Sequence, residues 1–116
     1  AILDRNAAAA VGQLERLMQQ GTDGKTAVME IGRAMRLLYV AKIAAESGLG
    51  IPEYMDVAKV RSAYAAGINM RRAGRFRLNS LRKCVILCNE AEQRMLRARI
   101  NERIVLETLI FELCSE

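Results

Sequence analysis

Apolar residues recur along this chain at spacings of three and four, with interruptions at glycine, and that rhythm predicts a series of helices. From Asp4, a suitable cap, to Gln20, the residues Val11, Leu14, Leu17 and Met18 share one face, and the tract Ala7–Ala10 offers a smooth surface for close packing. Gly21-Thr22-Asp23-Gly24 breaks the rhythm. A second helix is predicted from Lys25 to Ser47, with a stripe of Ala27, Ile31, Ala34, Leu38, Ala41 and Ala45 widened by Val28, Met35 and Tyr39. That surface is wider than one neighbour requires. It fits either the central helix of the domain or part of a subunit interface.

Gly48 is placed to end this helix, and Pro52 suits the first turn of the next, where its missing N–H is not needed. A third helix is predicted over Pro52–Ala66, on a stripe of Val57, Val60, Tyr64 and Ile68, and it can run on past Gly67 to Ala73. Gly74 opens a basic connector, Arg75-Phe76-Arg77-Leu78, after which Asn79 or Ser80 can cap a last helix. No glycine or proline follows Gly74, so Ser80 to Leu113 reads as one long helix, although a break near Arg99–Asn101 fits equally well. Cys84, Cys88, Ala91, Met95 and Ala98 share a face there, whereas Val105, Leu109, Ile110, Phe111 and Leu113 spread over a wider one. The run Cys84–Cys88 alone would also suit a short buried strand, but the helix formers after it favour a helix.

The expected fold is therefore all-α: a single domain over residues 1–116, built as a bundle of about four helices with a long C-terminal helix. Composition agrees, with one proline and eight glycines among 116 residues. At 52% hydrophobic in so short a chain, either a well-filled monomer or a homodimer would satisfy the apolar surface, and a homodimer is expected. The apolar runs fall well short of the roughly 18–20 residues a membrane span needs. An odd count of three cysteines, Cys84, Cys88 and Cys114, gives no disulfide framework. A cytoplasmic protein with reduced thiols is expected.

Charge sharpens the picture. The net charge is +5, and residues 51–83 hold the surplus, with eight basic and two acidic side chains. Arg71, Arg72, Arg75, Arg77, Arg82 and Lys83 form a cluster with no acid among them, and Phe76 lies inside it. Such a cluster can hold phosphates, face an acidic protein, or remain a solvated connector.

Catalytic chemistry is hard to find. The chain has no histidine, which removes the commonest general base and a common metal ligand. Glu90 and Glu92 are two apart and face different directions on a helix. Cys84 and Cys88 have a spacing that could present two zinc ligands, but Cys114 alone does not complete a tetrahedral set. Gly24-Lys25-Thr26 matches the end of a phosphate-binding loop, yet position 19 is glutamine where that motif requires glycine. No enzyme activity, cofactor or metal is expected.

Binding remains. Ile43–Val57 weakly resembles a helix-turn-helix, with Ala44, Gly48, Leu49 and Tyr54 near the small, turn and core positions. Glu53 and Asp56 would then face phosphates, which argues against it. Six methionines and the tyrosines supply adaptable contact surface, and the residues expected to bind a protein are Met35, Leu38, Tyr39, Ile51, Tyr54 and Met55.

Taken together, Met35-Arg36-Leu37-Leu38-Tyr39, Tyr54-Met55 and the Arg71–Lys83 stretch resemble the QslA type of small helical anti-activators of pseudomonads. The resemblance implies a non-enzymatic regulator in quorum sensing. It would bind the transcription activator LasR and block that activator's dimerisation and DNA binding. The alternative expectation is a transcriptional regulator that binds DNA directly through segment 71–83.

Overall fold

The computed structural model describes residue 16 and residues 19–21, 23–97 and 99–116. The helix expected over Asp4–Gln20 lies almost wholly outside these residues. The described residues form five helices and no strand: α1 (Gly24–Glu46), α2 (Ile51–Ala58), α3 (Ala63–Ala73), α4 (Leu78–Met95) and α5 (Glu102–Ser115). The all-α expectation holds, and Cys84–Cys88 is helical.

α1 begins where Asp23 accepts a hydrogen bond from the Thr26 N–H at 2.7 Å. This places Gly24-Lys25-Thr26 at a helix start, with the carboxylate in the position of a cap. Backbone and side-chain hydrogen bonds from Thr26 hold the Asp23 carboxyl below its usual range. Glycine at position 24 allows a close approach between α1 and α5. Its N–H donates to Glu102 Oε1 at 3.1 Å, and a Cβ there would stand 2.7 Å from Glu102 Cβ. The start of α5 thus lies directly against the start of α1, with the carboxylate at the positive end of the α1 dipole.

α1 packs on α2, α3, α4 and α5. Its wide apolar stripe is accordingly that of the central helix: Ala27, Val28, Met35, Leu38, Ala41 and Ala44 are all buried. The small residues among them let neighbouring helices approach closely.

Two expected helices are each divided, and both divisions have a local cause. The segment read as one helix over Pro52–Ala66 stops at Lys59, which adopts the left-handed conformation at φ 57°, and Ser62 then caps α3 by accepting from the Ala65 N–H at 3.2 Å. The C-terminal segment is not one long helix and takes the alternative with a break near Arg99–Asn101. α4 ends at Met95, Arg99 is left-handed at φ 61°, and Asn101 caps α5 by accepting from the Ile104 N–H at 3.2 Å. The break allows α5 to fold back onto α4 and α1. α4 itself starts earlier than expected, at Leu78, with Arg77 rather than Asn79 or Ser80 in the cap position and no side chain capping it.

The core holds Tyr54, Leu81, Cys84, Cys88, Leu106, Leu109 and Ile110 at its centre. Tyr54 is fully buried and satisfied: its hydroxyl donates to the Leu37 carbonyl at 2.9 Å and accepts from Asn69 Nδ2 at 3.2 Å. One phenol thereby joins α1, α2 and α3. Among the described residues no helix is long and apolar enough to cross a membrane.

Candidate protein interface

Helix α5 carries apolar residues on two of its sides. One side of it buries Val105, Leu106, Leu109, Ile110 and Leu113 in the core. The other side exposes Ile104 and Phe111, at 59% and 56% of their full surface. Seven residues apart, these two lie two turns from one another on the same outward face. A surface helix normally carries one apolar stripe, and one that is apolar all round is normally buried all round. Among the described residues this outward pair stays exposed although the opposite side of the helix is buried. Burying what remains exposed of both against a partner would contribute on the order of 2–3 kcal/mol before the costs of association.

A second exposed apolar site lies between α1 and the end of α4. Met29 and Leu96 stand 62% and 77% exposed on a groove of about 380 Å³ that Val28 and Met95 also line. Arg36 crosses nearby to Glu92 at 3.5 Å, a solvent-exposed pair of small energetic consequence.

The residues expected to bind a protein mostly serve the fold. Met35, Leu38 and Tyr54 are buried, so these three do not present a contact surface of their own, and Tyr39 and Met55 are partly buried against the core. Only Ile51 is exposed, lying within contact distance of Gly67 on α3. Helical periodicity finds the apolar face but does not say what covers it. Ile104 escapes periodicity for the same reason, and Phe111 is found only as one member of a wide face. The broad face over Val105–Leu113 looks like register drift in the sequence, whereas it marks a helix with apolar residues on both sides.

The helix-turn-helix resemblance does not hold either. Glu53 is used locally, its carboxylate accepting from the Gly50 N–H at 3.0 Å, and although Tyr54 is buried as its core position requires, Leu49, assigned to the other core position, is exposed.

The six basic residues of the cluster are all exposed and gather at the corner where α3 hands over to α4. Phe76 is buried there, so it anchors the connector and is not free to stack on a ligand. Cys84 and Cys88 are buried, and burial first, then the neighbouring Cys84 and Glu92, push the Cys88 thiol up to about 12. A thiol so placed stays protonated at neutral pH and packs as a small apolar side chain. No group of three or more metal-ligating side chains occurs among the described residues.

The same arrangement of helices is found in a solved structure. The Bacillus subtilis DNA clamp loader delta protein (YqeN) superposes with a TM-score of 0.89 at 20% identity, over 99% of this chain and 34% of that one. The chain thus spans about a third of the length of that protein. Among curated proteins, none matches the sequence. The family model that describes the C-terminal domain of the DNA polymerase III delta subunit matches residues 1–113.

These findings overturn the resemblance to QslA and what it implied. Length, helicity and positive charge are shared by many small regulators and are no diagnostic motif. The quorum-sensing role, the transcription-regulator partner and the alternative of a DNA-binding transcriptional regulator are set aside with it, because the match is to a different family. With the family model covering nearly its whole length, this chain belongs to the family of C-terminal domains of the DNA polymerase III delta subunit.

Proposed function

We propose that this chain is a non-catalytic assembly domain, part of a delta-type clamp-loader protein acting in the cytoplasm, and that it packs against the other subunits of the loader. The observation that carries the reading is the family match over residues 1–113. The two-sided apolar character of α5 supports it, because Ile104 and Phe111 remain exposed on a helix whose other face is already buried. The absence of histidine and the high pKa of Cys88 leave little for a catalytic role and suit a domain that works by contact.

Charge on the outward face of α5 tests this. In the full-length protein, the double substitution Ile104→Glu with Phe111→Glu is expected to weaken association with the other clamp-loader subunits of the same organism by about a hundredfold or more, a loss of some 3 kcal/mol. Thermal stability should stay near that of the parent, since both side chains are exposed. Co-elution in size-exclusion chromatography with light scattering measures the first, and a melting curve the second. Full co-elution of the folded variant would show that this face is not the interface. A homodimer covering the same residues would appear in the same experiment as a doubled mass without the other subunits.

A further inference from the structure

The basic side chains at the corner between α3 and α4 are exposed and take no part in the core or in the apolar faces. From Val57 to Asn89 the chain carries eight basic residues and no acid. Six of them are at the corner: Arg71 and Arg72 in the last turn of α3, Arg75 and Arg77 in the connector, and Arg82 and Lys83 in the first turns of α4. Lys83 faces Glu116 at 3.9 Å. The five arginines form no ion pair among the described residues. Arg71 and Arg72 also complement the negative end of the α3 dipole, but that accounts for two of the five.

We infer that this corner binds the phosphate backbone of DNA, without regard to sequence. Three observations select DNA over an acidic protein. First, five of the six cations are arginine, whose planar fork matches phosphate oxygens in pairs. Second, the corner lacks the apolar centre that protein interfaces are built around: no large hydrophobic residue is exposed between Tyr64 and Ile86. Phosphate contacts require no such centre. Third, the α4 N-terminus opens in the middle of the cluster with no side chain capping it and no acid in its first turn, so its N–H groups add to the positive field that the arginines set. The buried Phe76 removes base stacking from the corner, which makes the contact one of backbone charge. The inference leans on the clamp-loader reading only in expecting DNA near the domain; the geometry and charge stand by themselves.

The test uses the full-length protein and two readouts. Fluorescence anisotropy with labelled single-stranded and duplex oligodeoxynucleotides, over a series of salt concentrations, compares the parent with a variant carrying Arg72→Ala, Arg75→Ala and Arg77→Ala. The variant should bind roughly tenfold or more weakly at moderate salt, and the slope of log affinity against log salt should flatten by about two to three. A companion carrying lysine at the same three positions should keep most of the slope, because the charges remain. Assembly with the other clamp-loader subunits is measured separately and should be unchanged in both variants. Unaltered DNA affinity and slope in the alanine variant would overturn the inference, as would a parent that does not bind DNA at low salt. Loss of assembly with DNA binding intact would assign the corner to a protein partner and overturn it too. Failure of the parent to assemble would count against the clamp-loader reading alone, since DNA binding is read independently.

Discussion

Tyr54→Ala is expected to destabilise the fold by about 3–5 kcal/mol, the range for removing a large buried aromatic side chain. The residue is wholly inaccessible, and it joins α2 to the Leu37 carbonyl of α1 and to Asn69 of α3. Alanine leaves a ring-sized cavity at the point where those three helices meet, and it removes the acceptor of the Asn69 side chain. Small domains are stable by roughly 5–15 kcal/mol in total, so a loss of this size populates the unfolded state appreciably. Tyr54→Phe separates the two contributions: it keeps the ring and removes the hydroxyl, at about 1 kcal/mol. Tyr64→Ala is the control, because Tyr64 is 77% exposed and surface substitutions stay within about 0.5 kcal/mol. Urea unfolding followed by circular dichroism measures all three. Equal midpoints for Tyr54→Ala and Tyr64→Ala would show that Tyr54 does not hold the bundle together.

Leu106→Ala should cost about 2–5 kcal/mol and tests the break before α5. Leu106 is fully buried because α5 turns back after Asn101 and packs on α4 and α1. In an uninterrupted helix running on from α4, that side chain would project beyond the end of the bundle and its removal would cost little. The clasp at the α1 start works in the same direction, since the Glu102 carboxylate reaches the Gly24 N–H only in the folded-back arrangement. A stability change within about 0.5 kcal/mol for Leu106→Ala would favour the straight helix.

The sequence discloses the helical class and the central place of α1, because the 3.6-residue rhythm and the run of small residues from Ala27 to Ala44 are local properties. It discloses the positive corner for the same reason, charge being countable. What it hides depends on tertiary contact. Lys59 and Arg99 are ordinary residues in left-handed conformations, and nothing in their identity marks them as helix ends; the nearby caps Ser62 and Asn101 are the only local signal. Tyr54 and Tyr64 are the same amino acid on apolar stripes, yet one is the core and the other is solvent-exposed. The proposed interface residues Ile104 and Phe111 become conspicuous only once the opposite face of α5 is known to be filled. The family is likewise out of reach of periodicity and charge, which many small helical domains share.

The most direct measurement is the native mass of the full-length protein mixed with the other purified clamp-loader subunits of its organism. A clamp-loader assembly domain requires a species whose mass contains this protein together with those partners, and its disappearance when Ile104 and Phe111 are both replaced by glutamate. Masses corresponding only to the free protein and to its own dimer, at concentrations where the remaining subunits associate with one another, would contradict that role.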